Sequence, residues 1–384
     1  MRKFRVVTPF IIAMLVLTAC PAGDGDGDGG GDGELGGTIS ILAVYADAEE
    51  DSFRAMIEPW ATENGVEIEY TATRDINAQL TTQIAGGNPP DIAGLPGPGA
   101  MIQFARDGDL IPLDDVIDMD AYASQYDEGW ITAGTVDDQL VGIFTKVSVK
   151  GLIFYNPAQF EAAGYTVPED FDGLTALVDQ ISSDGTPPWG IGIEDGAASG
   201  WPATDWIEDF VLRQSGPDVY DQWVAGELPW SSPEITEAFE AFGAWATDEA
   251  FVAGGPNQVI NTAFGNGGDC LFSEPPECYL HHQASFITGL FEDNFPDEAV
   301  AGETYEFFPM PGIEFDGVTT AGDLFGMFND TPQARSLMQY LTTAEAQQIW
   351  VERGGAISPN TEVPVEAYPD ETSARFAEII QTAE

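Results

Sequence analysis

The chain has 384 residues, 43% of them hydrophobic, and sets 65 acidic residues against 12 basic ones for a formal net charge of −53. That apolar content is ample for a core, and a folded part of about 350 residues is expected to form two domains rather than one. Apart from three at the start of the chain the basic residues do not cluster, which argues against nucleic-acid binding through phosphates, and such acidity is compatible with a salty, screening medium.

Met1 to Arg5 hold three of the basic residues, and Val6 to Leu17 is almost wholly apolar yet short for a bilayer span, the layout of a secretory signal. Leu17-Thr18-Ala19-Cys20 resembles the lipobox of bacterial lipoproteins. The resemblance implies a signal peptide over 1–19, cleavage before Cys20, lipidation of Cys20, and an exported protein anchored through lipid on the outer face of the cytoplasmic membrane. The alternative is an ordinary signal peptide with an incidental cysteine. Residues 20–36 are mostly Gly and Asp after the cysteine, too poor in apolar side chains to offset ordering entropy. As a flexible linker their ends would lie roughly 20–25 Å apart. Asp24 to Gly29 mimics the start of a calcium loop, but the twelfth position is Leu35 where a bidentate Glu is required.

Thr38 to Tyr45 reads as a buried strand. Glu49 to Asn64 reads as a helix with Phe53, Met56, Ile57 and Trp60 on one face, interrupted by Pro59 and stopped by Gly65. Val66 to Thr71 alternates like a second strand, and Asp75 is placed to cap a helix bearing Ile76, Leu80 and Ile84. Pro89 to Gly94 leads into a third strand, which completes a βαβαβ rhythm and predicts a parallel sheet covered by helices. Another helix is predicted over Met101–Asp107, and Thr135 to Val149 reads as one hairpin turning at Asp137-Asp138. Further helices are predicted over Pro157–Ala163, Gly173–Ser182, Pro233–Phe242 and Ala334–Leu341. Cys270 and Cys278 bracket a turn-rich loop, most simply a disulfide in an exported protein, with a pair of free thiols as the alternative. Two histidines and no CxxC spacing argue against zinc, and no metal or cofactor is expected.

Taken in order, T-I-S-I-L-A-V-Y, Q-L-T-T-Q-I-A-G-G-N-P-P-D-I, G-L-I-F-Y-N-P, M-P-G-I, T-A-G-D and G-G-A-I-S-P-N resemble the carbohydrate-binding lipoproteins of ABC importers, the large extracellular solute-binding family. G-W-P-A-T-D-W-I-E-D and C-Y-L-H-H-Q-A-S-F are similar to its α-glucoside-binding branch. The resemblance implies an α/β, two-lobe, periplasmic-binding-protein-like fold of type II with a carbohydrate in the cleft between lobes. It implies lobe one over 37–145 and 311–364, lobe two over 146–310, and a monomer that delivers its ligand to the transmembrane subunits of an ABC permease. Chains of that family usually continue well past such a G-A-I-S-P-N segment, so 365–384 is expected to be a shortened or truncated return to lobe two, leaving that lobe incomplete.

A sugar ring has apolar faces and a rim of hydroxyls, so its site needs aromatic platforms beside charged or amide groups. Trp201 and Trp206 flanking Asp205 are the strongest candidates, with one tryptophan expected in the cleft and one in the core. Tyr45 and Asp47 follow the first strand, Arg74 and Asp75 the second, and Pro96 and Gly97 the third, where open α/β sheets bind ligands. Arg74, Lys150 and Arg353 stand out because cations are scarce, although a salt bridge with one of the 65 acidic residues explains each slightly better. His282 and Gln283 lie in a run with Tyr279 and Phe286; adjacent histidines point apart, so at most one of His281 and His282 faces the cleft. Asp323 lies in a segment expected to re-enter lobe one, or else caps a strand end.

The sequence has no GxSxG elbow, P-loop, HExxH or strand-borne GxGxxG, and among 65 acidic residues some pair will match a glycosidase spacing by chance. Binding without chemistry is therefore expected. The alternatives are the same fold holding a polyol, a peptide or another non-sugar solute, a secreted glycan-acting enzyme, or a lipoprotein that only signals or adheres.

Overall fold

The structure is a computed structural model that describes residues 35–382. The expected signal peptide, the lipidated Cys20, the calcium-loop mimic and the linker up to residue 34 lie outside the described residues. Strand β1 (Thr38–Ala43) pairs in parallel with β2 (Glu67–Ala72) on one side and β3 (Ile92–Leu95) on the other, with Ile41 opposite both Tyr70 and Ile92. The connecting helices are Ala48–Asn64 and Ile76–Ala85. The first buries Phe53, Met56, Ile57 and Trp60, runs through Pro59 and ends at Gly65, whose φ of 64° suits the left-handed cap that glycine adopts freely. The Asp75 side chain makes no capping bond: its own N–H donates to Thr73 Oγ1 and the carboxylate stays in solvent.

The expected single hairpin over Thr135–Val149 is corrected. Asp137 and Asp138 do turn the chain, with φ of 49° and 66°, but between two-residue strands β4 (Thr135–Val136) and β5 (Gln139–Leu140). β6 (Ile143–Val149) leaves the hairpin, with all seven of its residues buried. It joins the main sheet because β10 (Thr320–Met327), from far along the chain, pairs antiparallel with both β3 and β6 and gives the order β2-β1-β3-β10-β6. β7 (Leu152–Tyr155) forms the centre of a second sheet, between β8 (His281–Gln283) and β9 (Glu306–Pro309). That sheet carries its own core of Ile153, Trp189, Trp206, Phe210 and Trp245. The C-terminal helix, Glu371–Thr382, lays Phe376 against Phe307 and Phe154 and pairs Arg375 with Glu306 of this sheet. Cys270 and Cys278 form a disulfide.

Only Lys150 and Gly151 separate β6 from β7, and the return from β9 to β10 runs beside them. Lys150 N–H donates to Thr319 O at 2.8 Å and Met310 N–H to Gly151 O at 2.7 Å. Gly151 has φ +68°, and a Cβ there would come within 2.4 Å of Asp209 Oδ2. Asp209, wholly buried on the helix Trp201–Ser215, accepts from Arg213 Nη1 at 2.7 Å and Thr319 Oγ1 at 3.1 Å and lies 2.7 Å from His282 Nε2. Arg213 Nε also donates to Met310 O at 2.9 Å. Burial would raise the Asp209 pKa, yet Arg213, His282 and Thr319 together hold it below the usual carboxylate value. Replacing Asp209 with Ala leaves the Arg213 guanidinium buried without a counter-ion. We expect a loss of about 3–5 kcal/mol in urea unfolding, recovered only in part in the Asp209→Ala/Arg213→Met double variant, which removes the unpaired cation but leaves His282, Thr319 and Met310 O without partners.

Candidate functional site

β6 ends K-V-S-V and Lys150 follows it, so the period of two turns Lys146, Ser148 and then Lys150 onto one face. Opposite them in β10, Ala321 pairs with Ser148 and Asp323 with Lys146. These residues line a cavity of about 210 Å3. Tyr45, Arg74 and Pro96 reach it from beyond the carboxyl ends of β1, β2 and β3, and Glu49 from the first helix. Asp195, Trp201, Phe264 and Phe286 close it from the side of the smaller sheet. Trp201, at the first turn of its helix, lies 5.1 Å from the Phe264 ring and 5.9 Å from Phe286, and its Nε1–H donates to Asp195 Oδ2 at 3.0 Å.

Three cations and three carboxylates face this cavity, so its formal charge is balanced in a chain of −53. Arg74 lies 3.4 Å from Asp195 and 3.9 Å from Glu49. Lys146 is 2.5 Å from Glu49 and 3.9 Å from Asp323, and its ammonium sits 4.8 Å from the ring centres of both Tyr45 and Trp350. Such a cation is held by ring quadrupoles as well as by carboxylates. Burial raises the Asp323 pKa against the pull of Lys146. The Tyr45 hydroxyl is buried in the same wall, has no hydrogen-bond partner in the protein, and is kept protonated by burial and by Asp323 and Glu49. Lys150 pairs with Asp205 and lies 3.8 Å from Glu208. Burial alone would lower its pKa, but the two carboxylates outweigh that and raise it.

Of the sequence candidates, Tyr45, Arg74, Pro96, Lys150, Trp201 and Asp323 come together here, while the others are placed elsewhere. Trp206 is a correction: it is 2% exposed and stacks 4.0 Å from the His282 ring, because it lies on the helix face that packs against Trp189 and Trp245. His282 and Gln283 are corrected too. β8 is buried on both faces, His282 is taken up by Asp209, and the Gln283 side-chain carbonyl accepts the Ala284 N–H. Burial also pushes His281 down to about 4. Asp205 stands behind Lys150 without lining the cavity. Asp47 and Arg353 border an adjoining recess that meets the cavity at Glu49 and Phe286, and Arg353 donates to Ser52 Oγ at 3.1 Å. Asp75 is exposed outside the cavity, and Gly97, next to Pro96, caps the following helix. Sequence reasoning passed over Lys146, although the alternation of its strand marks it, and over Glu49, Asp195 and Phe264, which only the fold brings together with Phe286. No group of His, Cys, Asp and Glu among the described residues could hold a metal ion, and no described helix is long and apolar enough to cross a membrane.

A cavity joined to both sheets, with paired strands crossing between them, defines the two-lobe fold of periplasmic binding proteins. Residues 46–348 match the family of bacterial extracellular solute-binding proteins, and the chain belongs to that family. It is 35% identical, over all of its length and 89% of the other protein, to the osmoprotective compounds-binding protein GgtB of Synechocystis sp.. It is 37% identical, over 91% of its length and 78% of the other, to the alpha-glucosides-binding periplasmic protein AglE of Rhizobium meliloti. The solved structure of the bacterial solute receptor AcbH shares the fold at a TM-score of 0.75 and 22% identity, covering 91% of this chain and 87% of that one. Maltose-bound MalE3 of T. maritima does so at 0.68 and 18%, covering 90% and 86%.

Burial pushes Glu208 up to about 7, only partly opposed by Lys150. As pH rises the unfolded chain therefore loses this proton first, and folded-state stability falls between about pH 4.5 and 7. In Glu208→Gln that fall should shrink by on the order of 1–3 kcal/mol, measured as urea midpoints across this range.

Proposed function

We propose that this chain is the substrate-binding component of a carbohydrate ABC import system, taking up a short α-glucoside in the interlobe cleft by reversible binding, with no bond made or broken. The observation that carries the reading is the pairing of an aromatic wall, Trp201 with Phe264 and Phe286, with a charge-balanced polar set of Arg74, Lys146 and Lys150 against Glu49, Asp195 and Asp323. Rings cover the apolar face of a sugar, and charged groups bind its hydroxyls more strongly than neutral ones. Balanced charge suits a neutral ligand. The alpha-glucosides-binding relative supports the α-glucoside, and the small volume supports one or two rings over a long chain. A second reading, a polyol or other compact osmoprotective solute, is favoured by the relative matched along the whole chain.

In this reading lobe one comprises 37–145 and 311–364, lobe two comprises 146–310, and the described residues from 365 to 382 return to lobe two. Lobe closure is a hinge motion at the crossing segments. The loaded monomer docks on the permease while a lipid on Cys20 and the linker keep it at the membrane.

Thermal unfolding against a panel of α-linked disaccharides, glycosylated polyols and free polyols tests the reading. A ligand at a hundredfold its Kd adds about 2.7 kcal/mol of stability. We expect one α-glucoside to raise the midpoint selectively and Trp201→Ala to weaken its binding by about 30-fold or more. A folded protein that responds to polyols alone would favour the second reading, and one that responds to none would refute both.

A further inference from the structure

Asp195 is 9% exposed and sits in a loop that has satisfied its own backbone. Asp195 N–H donates to Ser199 Oγ, that hydroxyl donates to Gly196 O, and Gly200 N–H closes the loop on Ile193 O at 2.8 Å. The carboxylate is thus left free to act outward. Oδ2 takes the Trp201 indole N–H at 3.0 Å, and Oδ1 lies 3.4 Å from Arg74 Nε. Trp201 begins the helix whose other face packs on the smaller sheet, whereas Arg74 lies beyond β2 of the larger one. The Arg74 guanidinium also lies 5.2 Å from the Phe264 ring, which in turn touches Trp201. Carboxylate, guanidinium, phenyl and indole form a closed circuit across the cleft.

From this circuit we infer that Asp195 is a positioning residue: one oxygen fixes the orientation of the Trp201 platform and the other clasps it to Arg74 on the opposite wall. The inference rests on the receptor reading above, because it ties the orientation of the stacking ring to closure. Burial raises the Asp195 pKa against the pull of Arg74, so the pair forms at the cost of desolvation and is weaker than its distance alone implies. Such a clasp can open for release. Asn at 195 would keep an acceptor for the indole and lose the ion pair, whereas Trp201→Phe would keep a ring and lose the hydrogen bond.

The test uses the mature chain without ligand and then with maltose as the probe. Hydrogen exchange of the ligand-free protein is followed in segments 72–78 and 193–206 for wild type, Arg74→Gln, Asp195→Asn and the double variant. Each single variant is expected to accelerate exchange in both segments by about tenfold, with little more in the double. At about 1 M NaCl, where screening acts within about 3 Å, the wild type should move toward the variants. Acceleration confined to the mutated residue's own segment, or fully additive effects, would overturn the clasp. In calorimetry, Asp195→Asn should weaken maltose binding by about tenfold, with the same double-variant coupling. Binding that is abolished by Trp201→Ala but shows no coupling between 74 and 195 would keep the receptor reading and reject the clasp. If maltose does not bind at all, the exchange measurement still decides the clasp.

Discussion

Asp209 is wholly buried, and its two oxygens answer to Arg213 on its own helix, His282 in β8 and Thr319 at the entry to β10, with Gly151 pressed against it from the crossing between sheets. A carboxylate without water is tolerated only where hydrogen bonds and a counter-ion replace its hydration. Here those replacements come from separate stretches of chain, so satisfying one charge fixes where the crossings run. Arg213 extends the arrangement by holding Met310 O, and through Met310 the end of β9. The smaller sheet, the helix that presents Trp201 and the strand that carries Asp323 are all referred to this one point.

Much of the first half of the fold was legible because its signals are local. Phe53, Met56, Ile57 and Trp60 repeat at helical spacing, Gly65 supplies a left-handed stop, and three short apolar runs alternate with helices. The antiparallel insertion of β10 between β3 and β6 has no such signal, since it joins segments far apart in sequence, and without it β6 looked like the arm of a hairpin. The site divides along the same line. Arg74 and Lys150 stood out in a chain with few cations. Trp201 and Trp206 both suit an amphipathic helix, and periodicity alone does not say that the first lies at an open end and the second beneath a turn of packed rings. His282 looked like a ligand contact because its partner, Asp209, is 73 residues away in sequence.

The distribution of charge follows from the composition. With carboxylates everywhere, the partner that limits ion pairing is the cation. Arg213 is enclosed at the crossing, Lys146 is enclosed in the cavity wall, and Arg74 and Lys150 are partly covered at the cavity. The surface is left strongly acidic, while the interior pairs lie where solvent screening reaches least. Neutrality in the cavity is thus a local arrangement set against the average of the molecule, and it depends on the placement of very few residues.

The peptide that joins the two sheets begins at a residue that lines the cavity. Lys150 and Gly151 are the whole of this crossing, and the N–H of the first and the carbonyl of the second are both held by the segment that returns from β9 to β10. In the proposed closure, turning one sheet against the other would carry the Lys150 side chain with it, and holding that side chain would resist the turn. Contact and pivot are neighbours on one backbone, so occupancy of the cavity and the angle between the sheets need no relay to be linked.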